Sequence, residues 1–86
     1  MIILADDVEH YNLSCHFEKI CDFIEKCRCQ EGRNILIHCF AGISRSSTSV
    51  IAYMIRDLKY SYMKALQLCR SKRKEVHPNA GFSRQL

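Results

Sequence analysis

His38-Cys39-Phe40-Ala41-Gly42-Ile43-Ser44-Arg45-Ser46 is the stretch on which the reading of this chain turns. It follows directly on Asn34-Ile35-Leu36-Ile37, an apolar burst of strand length with β-branched residues. It runs on through Ser47 and Thr48 into Val50, Ile51, Ala52, Tyr53, Met54, Ile55 and Leu58. That segment is apolar nearly all round, as expected of a helix through the centre of a domain. A loop between a buried strand and a helix points successive backbone N–H groups at one spot, and the helix N-terminus adds positive potential. The turn is an anion cradle, and a phosphate fits it.

Cys39 stands at the floor of that turn, where the same N–H groups favour the thiolate, the nucleophilic form of cysteine. Arg45 lies on the first turn of the helix and can fold its planar guanidinium back over the loop to take two phosphate oxygens. Gly42 lets the backbone approach the anion with no Cβ in the way. Ser46 brings a hydroxyl near the sulfur, where it can help expel thiolate when water attacks a phosphocysteine. A cysteine near a helix start is more often an inert small hydrophobe. Cys-x5-Arg alone therefore decides little; His38, Gly42 and Ser46 around it, between strand and helix, make the signal specific.

Working outward, 86 residues leave room for one domain with an economical core. Hydrophobic residues at 48% and charged ones at 26% describe an ordinary globular sequence. No run has the length of a membrane span, and Met1 to Asp7 lacks the basic start and apolar stretch of a secretory signal. Among six cysteines, Cys15, Cys21 and Cys27 recur through a helical pattern and read as small buried apolar residues instead of a disulfide framework. A reducing cytoplasmic or nuclear setting is the expectation. Cys27-Arg28-Cys29, His38, Cys39 and Cys69 match no zinc-knuckle spacing, so neither metal nor cofactor is expected. The net charge of +4 is densest at Arg70-Ser71-Lys72-Arg73-Lys74, which reads as a solvated helix end complementing the dipole before it reads as a nucleic-acid patch.

Met1 to Ala5 has the look of a buried strand that breaks into a loop at Asp6-Asp7. Leu13, Phe17, Ile20, Cys21, Ile24 and Cys27 have the spacing of an amphipathic helix that Asn12 or Ser14 can cap and that stops near Gly32. After the second strand and the central helix, Ser61 can cap a further helix carrying Ala65, Leu66 and Cys69, ended by Pro78-Asn79. This βαβα order predicts an α/β fold with parallel central strands flanked by helices. Only two strands are visible, both apolar enough to want neighbours.

The chain resembles the dual-specificity phosphatases of the cysteine-dependent protein tyrosine phosphatase superfamily, whose signature HCxxGxSRS is followed by an apolar AY helix. This sequence has HCFAGISRSSTSVIAYMI, with NLSCHFEKICDFIEKC before it and PNAGFSRQL at its end. The resemblance implies a domain over residues 1–86 that is the C-terminal portion of the family's catalytic unit. Its N-terminal strands, which form one wall of the substrate cleft, and the end of its last helix would be absent. An isolated chain of this kind is expected to be poorly stable.

The resemblance also implies two-step phosphoryl transfer from a phosphorylated protein carrying phosphotyrosine and phosphoserine or phosphothreonine. The phosphate-binding loop would be Phe40, Ala41, Gly42, Ile43, Ser44 and Arg45. The general acid falls on Asp7 by the family's spacing before Asn12-Leu13, with the adjacent Asp6 as the alternative. His38 resembles the histidine that orders the loop, a role compatible with a histidine satisfied in the core. Asn79 looks like the asparagine that braces the loop from behind; a simple turn is an equal reading. Apolar Phe40, Ala41 and Ile43 argue against a polyanionic lipid head group, and no nucleic-acid or membrane partner is expected. The alternative to an enzyme is a non-catalytic phosphate-binding or scaffolding module.

Overall fold

The computed structural model describes residues 3, 5–30, 32, 35–39 and 43–86. A 3-10 turn at Leu13–His16 leads into α1, Phe17–Glu25, and a π turn at Lys26–Gln30 extends it. The expected helix is thus present as one run with three hydrogen-bonding registers. Its stop is close to Gly32, which takes a φ of 64°, a left-handed conformation that glycine adopts without steric penalty. The central helix α2 spans Arg45–Arg56, α3 spans Tyr62–Lys72, and α4 spans Ala80–Gln85.

The core lies on both sides of α2. On one side Ala52 and Tyr53 meet Ile20, Cys21 and Ile24 of α1; on the other Ile51 meets Ala65 and Leu66 of α3 together with Val76. A helix with one neighbour on each side must be apolar nearly all round, which is what the sequence pattern of Val50 to Ile55 predicts. Tyr53 also ties the π turn down. Its hydroxyl donates to Glu25 at 2.7 Å and accepts from Arg28 at 2.9 Å. Burial and then the hydrogen bond to Glu25 push its ionisation up to about 12.

The described residues match some expectations and not others. No strand is assigned among the described residues, and parts of both predicted strands, 1–5 and 34–38, lie outside them. A strand needs a ladder partner for its N–H and C=O groups, and two short strands alone do not make an independently stable sheet. Residues 35–39 nevertheless alternate as a strand would: Ile35 and Ile37 pack on the core of α1 and α2, while Leu36 is 83% exposed. Of the three periodic cysteines only Cys21 is buried; Cys15 is exposed and its thiol donates to the Asn12 carbonyl. Asn12 does not cap through its side chain. Ser61 does cap α3, accepting from the Lys64 N–H. Asn79, expected to end that helix, instead caps α4. The basic stretch closes α3, with Arg70 donating to the Val76 carbonyl at 2.9 Å.

Candidate active site

The start of α2 is packed unusually tightly for a run of hydroxyl residues: Ser44, Ser46, Ser47, Thr48 and Ser49 are all buried. Small side chains permit the close packing, and local back-bonding satisfies two of the five hydroxyls. Ser47 donates to the carbonyls of Ile43 at 2.6 Å and Ser44 at 3.0 Å, and Ser49 donates to that of Arg45 at 3.0 Å. The loop end is also held from the segment before α4. The His77 N–H donates to the Ile43 carbonyl at 2.9 Å, and the Asn79 N–H donates to Ser44 Oγ at 3.0 Å.

Against this frame the Cys39 thiol points at Ser46, with Sγ and Oγ 3.4 Å apart. Arg45 donates from Nη1 to the Ala5 carbonyl at 3.1 Å, while its Nε is buried with no hydrogen-bond partner among the described residues. His38, Cys39, Arg45 and Ser46 open on one cavity whose other walls include Ile20 and Ile24. Burial pushes the buried Cys21 thiol and the half-buried Cys69 thiol up, toward the unreactive protonated form.

Asp6 and Asp7 are exposed and follow directly on Ala5, whose carbonyl Arg45 holds. Asn79 Nδ2 donates to Asp7 Oδ1 at 2.9 Å while its own Oδ1 accepts from the Phe82 N–H at 2.8 Å. Asn79 thus caps α4 through its side chain while its backbone N–H reaches Ser44.

Thus Cys39, Ser46 and Arg45 are gathered at the head of α2, with Asp7 tied to Asn79 nearby. Phe40, Ala41 and Gly42 lie outside the described residues. His38 is exposed and not satisfied in the core, because the alternation along 35–39 turns 36 and 38 outward. Sequence reasoning missed Thr48, whose fully buried Oγ1 has no partner among the described residues, as well as Gly81 and Gln85. The only local signal for the last two is a glycine at the start of a helix.

The sequence profile of the dual specificity phosphatase catalytic domain matches residues 1–86, and the chain belongs to that family. It is 43% identical to mouse dual specificity protein phosphatase 22 across all 86 residues, which cover 46% of that protein. It is 41% identical to dual specificity protein phosphatase 1 of Arabidopsis thaliana, with 99% of this chain and 42% of that protein covered. The solved structure of the human tyrosine phosphatase-like serine/threonine/tyrosine-interacting protein superposes with a TM-score of 0.94 at 33% identity, covering 99% of this chain and 56% of that one. The chain spans less than half the length of these two curated relatives.

Proposed function

We propose that this chain carries the phosphoryl-transfer centre of a protein phosphatase acting on phosphotyrosine and on phosphoserine or phosphothreonine. The observation that carries the reading is the Cys39 Sγ to Ser46 Oγ contact of 3.4 Å at the head of α2, one residue from Arg45. The Cys39 thiolate attacks phosphorus, forming S–P as the ester P–O bond breaks, and Asp7 gives its proton to the leaving oxygen. Asp7, then a carboxylate, takes a proton from water; the water oxygen bonds to phosphorus, the S–P bond breaks, and Ser46 donates to the departing thiolate. Arg45 holds the phosphoryl oxygens through its fork. The tie from Asn79 supports Asp7 over Asp6 as the acid. His38 orders the loop beside the thiolate. The inward Ile35 and Ile37 support a parallel strand at 34–38 in the family's complete sheet.

Hydrolysis of para-nitrophenyl phosphate is measured for the chain beside Cys39→Ser and Arg45→Ala. Where the chain alone does not melt cooperatively, the same variants are placed in a chimera in which residues 1–86 replace the matching segment of the mouse relative. Turnover that disappears in Cys39→Ser supports the enzyme; turnover that survives it sinks the reading. A second reading, a phosphate-binding module without turnover, draws on the solved relative described as phosphatase-like and interacting. Vanadate binding with no hydrolysis in any form would favour it.

A further inference from the structure

We propose that α4 is the device that sets where the acid of Asp7 stands relative to the phosphate loop, with Gln85 and Gly81 as its positioning residues. The inference rests on the assignment of Asp7 as general acid. The turn that bears Asp7 is exposed, and little of its own sequence holds it: the Tyr11 N–H donates to the Val8 carbonyl, and the Leu13 N–H donates to that of Tyr11. Besides the bond from Arg45 to the Ala5 carbonyl and the Tyr11–His16 contact, further anchors come from α4 and its cap, more than sixty residues away.

Gln85 spans the downstream end of the turn. Its Nε2 donates to the Tyr11 carbonyl at 2.8 Å, and its Oε1 accepts from the Ser14 N–H at 2.7 Å. The Ser14 N–H is one of the donors that a helix start leaves unpaired, so a distant amide does the work of a cap. Gly81 sets the middle of the turn. A Cβ there would lie 1.8 Å from the Glu9 carbonyl oxygen and 2.5 Å from its carbon, so no other residue allows this approach without moving the backbone. At the upstream end Asn79 holds Asp7 itself.

The helix that makes these contacts is fixed by Phe82, which is fully buried, and by the Asn79 N–H on Ser44 Oγ. Acid turn and loop end therefore share one rigid reference. The bond from Asn79 also sorts the two carboxyl oxygens. In the protonated acid an N–H donor pairs with the carbonyl oxygen, so Oδ1 is the acceptor and Oδ2 carries the proton that the leaving group receives.

General-acid help matters most for a poor leaving group, so phenyl phosphate is compared with para-nitrophenyl phosphate for the parent, Asp7→Asn, Gln85→Ala and Gly81→Ala. Asp7→Asn is expected to lower kcat on phenyl phosphate by about 100-fold, with a much smaller loss on the nitrophenyl ester. Gln85→Ala and Gly81→Ala are expected to show the same selective loss at about 10-fold. Gln85→Glu, which keeps the acceptor for Ser14 but not the donor for Tyr11, is expected to fall between. If Asp7→Asn discriminates between the esters and the Gln85 and Gly81 variants lower both equally or neither, the positioning role is overturned. If Asp7→Asn does not discriminate, the acid assignment itself is overturned and this inference with it.

Discussion

The head of α2 and the turn at Asp7 are joined through Asn79, yet most of what holds each differs in kind. The head of α2 is buried, and Ser47 and Ser49 bond to carbonyls three and four residues back along the same chain. The acid turn is exposed, and its key groups are held by side chains of α4 and its cap. A group that must hold a phosphate benefits from rigidity made locally, because every residue of the loop then moves together. A group that must deliver a proton and then take one benefits from anchors on a buried helix, because its own exposed turn does not place it relative to the loop.

The sharpest way to break this arrangement is to remove what both regions share. Phe82→Ala deletes a fully buried ring beneath α4 and is expected to destabilise by about 3–5 kcal/mol. A denaturant midpoint measures it, and an unchanged midpoint would show that α4 is not the common anchor. Asn79→Ala removes the cap and the bond to Asp7 but keeps the N–H on Ser44. It is expected to cost about 1–2 kcal/mol and to fall on the acid turn alone, seen as faster amide exchange at 8–14 with 44–49 unaffected. Thr48→Val tests the opposite region. It keeps the shape and removes a buried hydroxyl that has no partner among the described residues, so a gain of about 1 kcal/mol in stability is expected by thermal melt.

Two smaller effects bound the comparison. Asp57 and Asp22 hold Arg56 in its charged form at 2.7 and 2.8 Å on the surface. Arg56→Ala is expected to leave the melting temperature nearly unchanged and both regions in place. The Tyr53 hydrogen bond holds the Glu25 carboxyl below its usual range. A depressed carboxyl stabilises above its unfolded value and loses that contribution as pH falls through the folded one. Tyr53→Phe should therefore remove the part of the acid-side decline in melting temperature that belongs to Glu25, with the neutral-pH site unchanged.

Much of this is legible in order along the chain. The helices from 13, 45 and 62 follow from apolar spacing, and Ser61 from the preference of serine for a cap. The residues at the head of α2 can be read because they are neighbours in sequence, where spacing implies proximity. The exposure of His38 is not legible, because whether 36 and 38 face inward depends on what covers the other side, which periodicity does not state. Cys15 escapes for a related reason: the first turn is 3-10, and the α spacing carried back from Cys21 does not apply there.

What residue order alone supplied is the set of groups: a cysteine, an arginine and a serine close together at the start of an apolar helix, with two acidic residues upstream. The tertiary structure decided what holds them. Asn79 joins Asp7 to Ser44, Gln85 closes the turn at Tyr11 and Ser14, and Gly81 admits the Glu9 carbonyl. Most of these contacts link residues about seventy positions apart, and no local pattern encodes them, because local propensity describes a segment's own hydrogen bonds while these are made between segments.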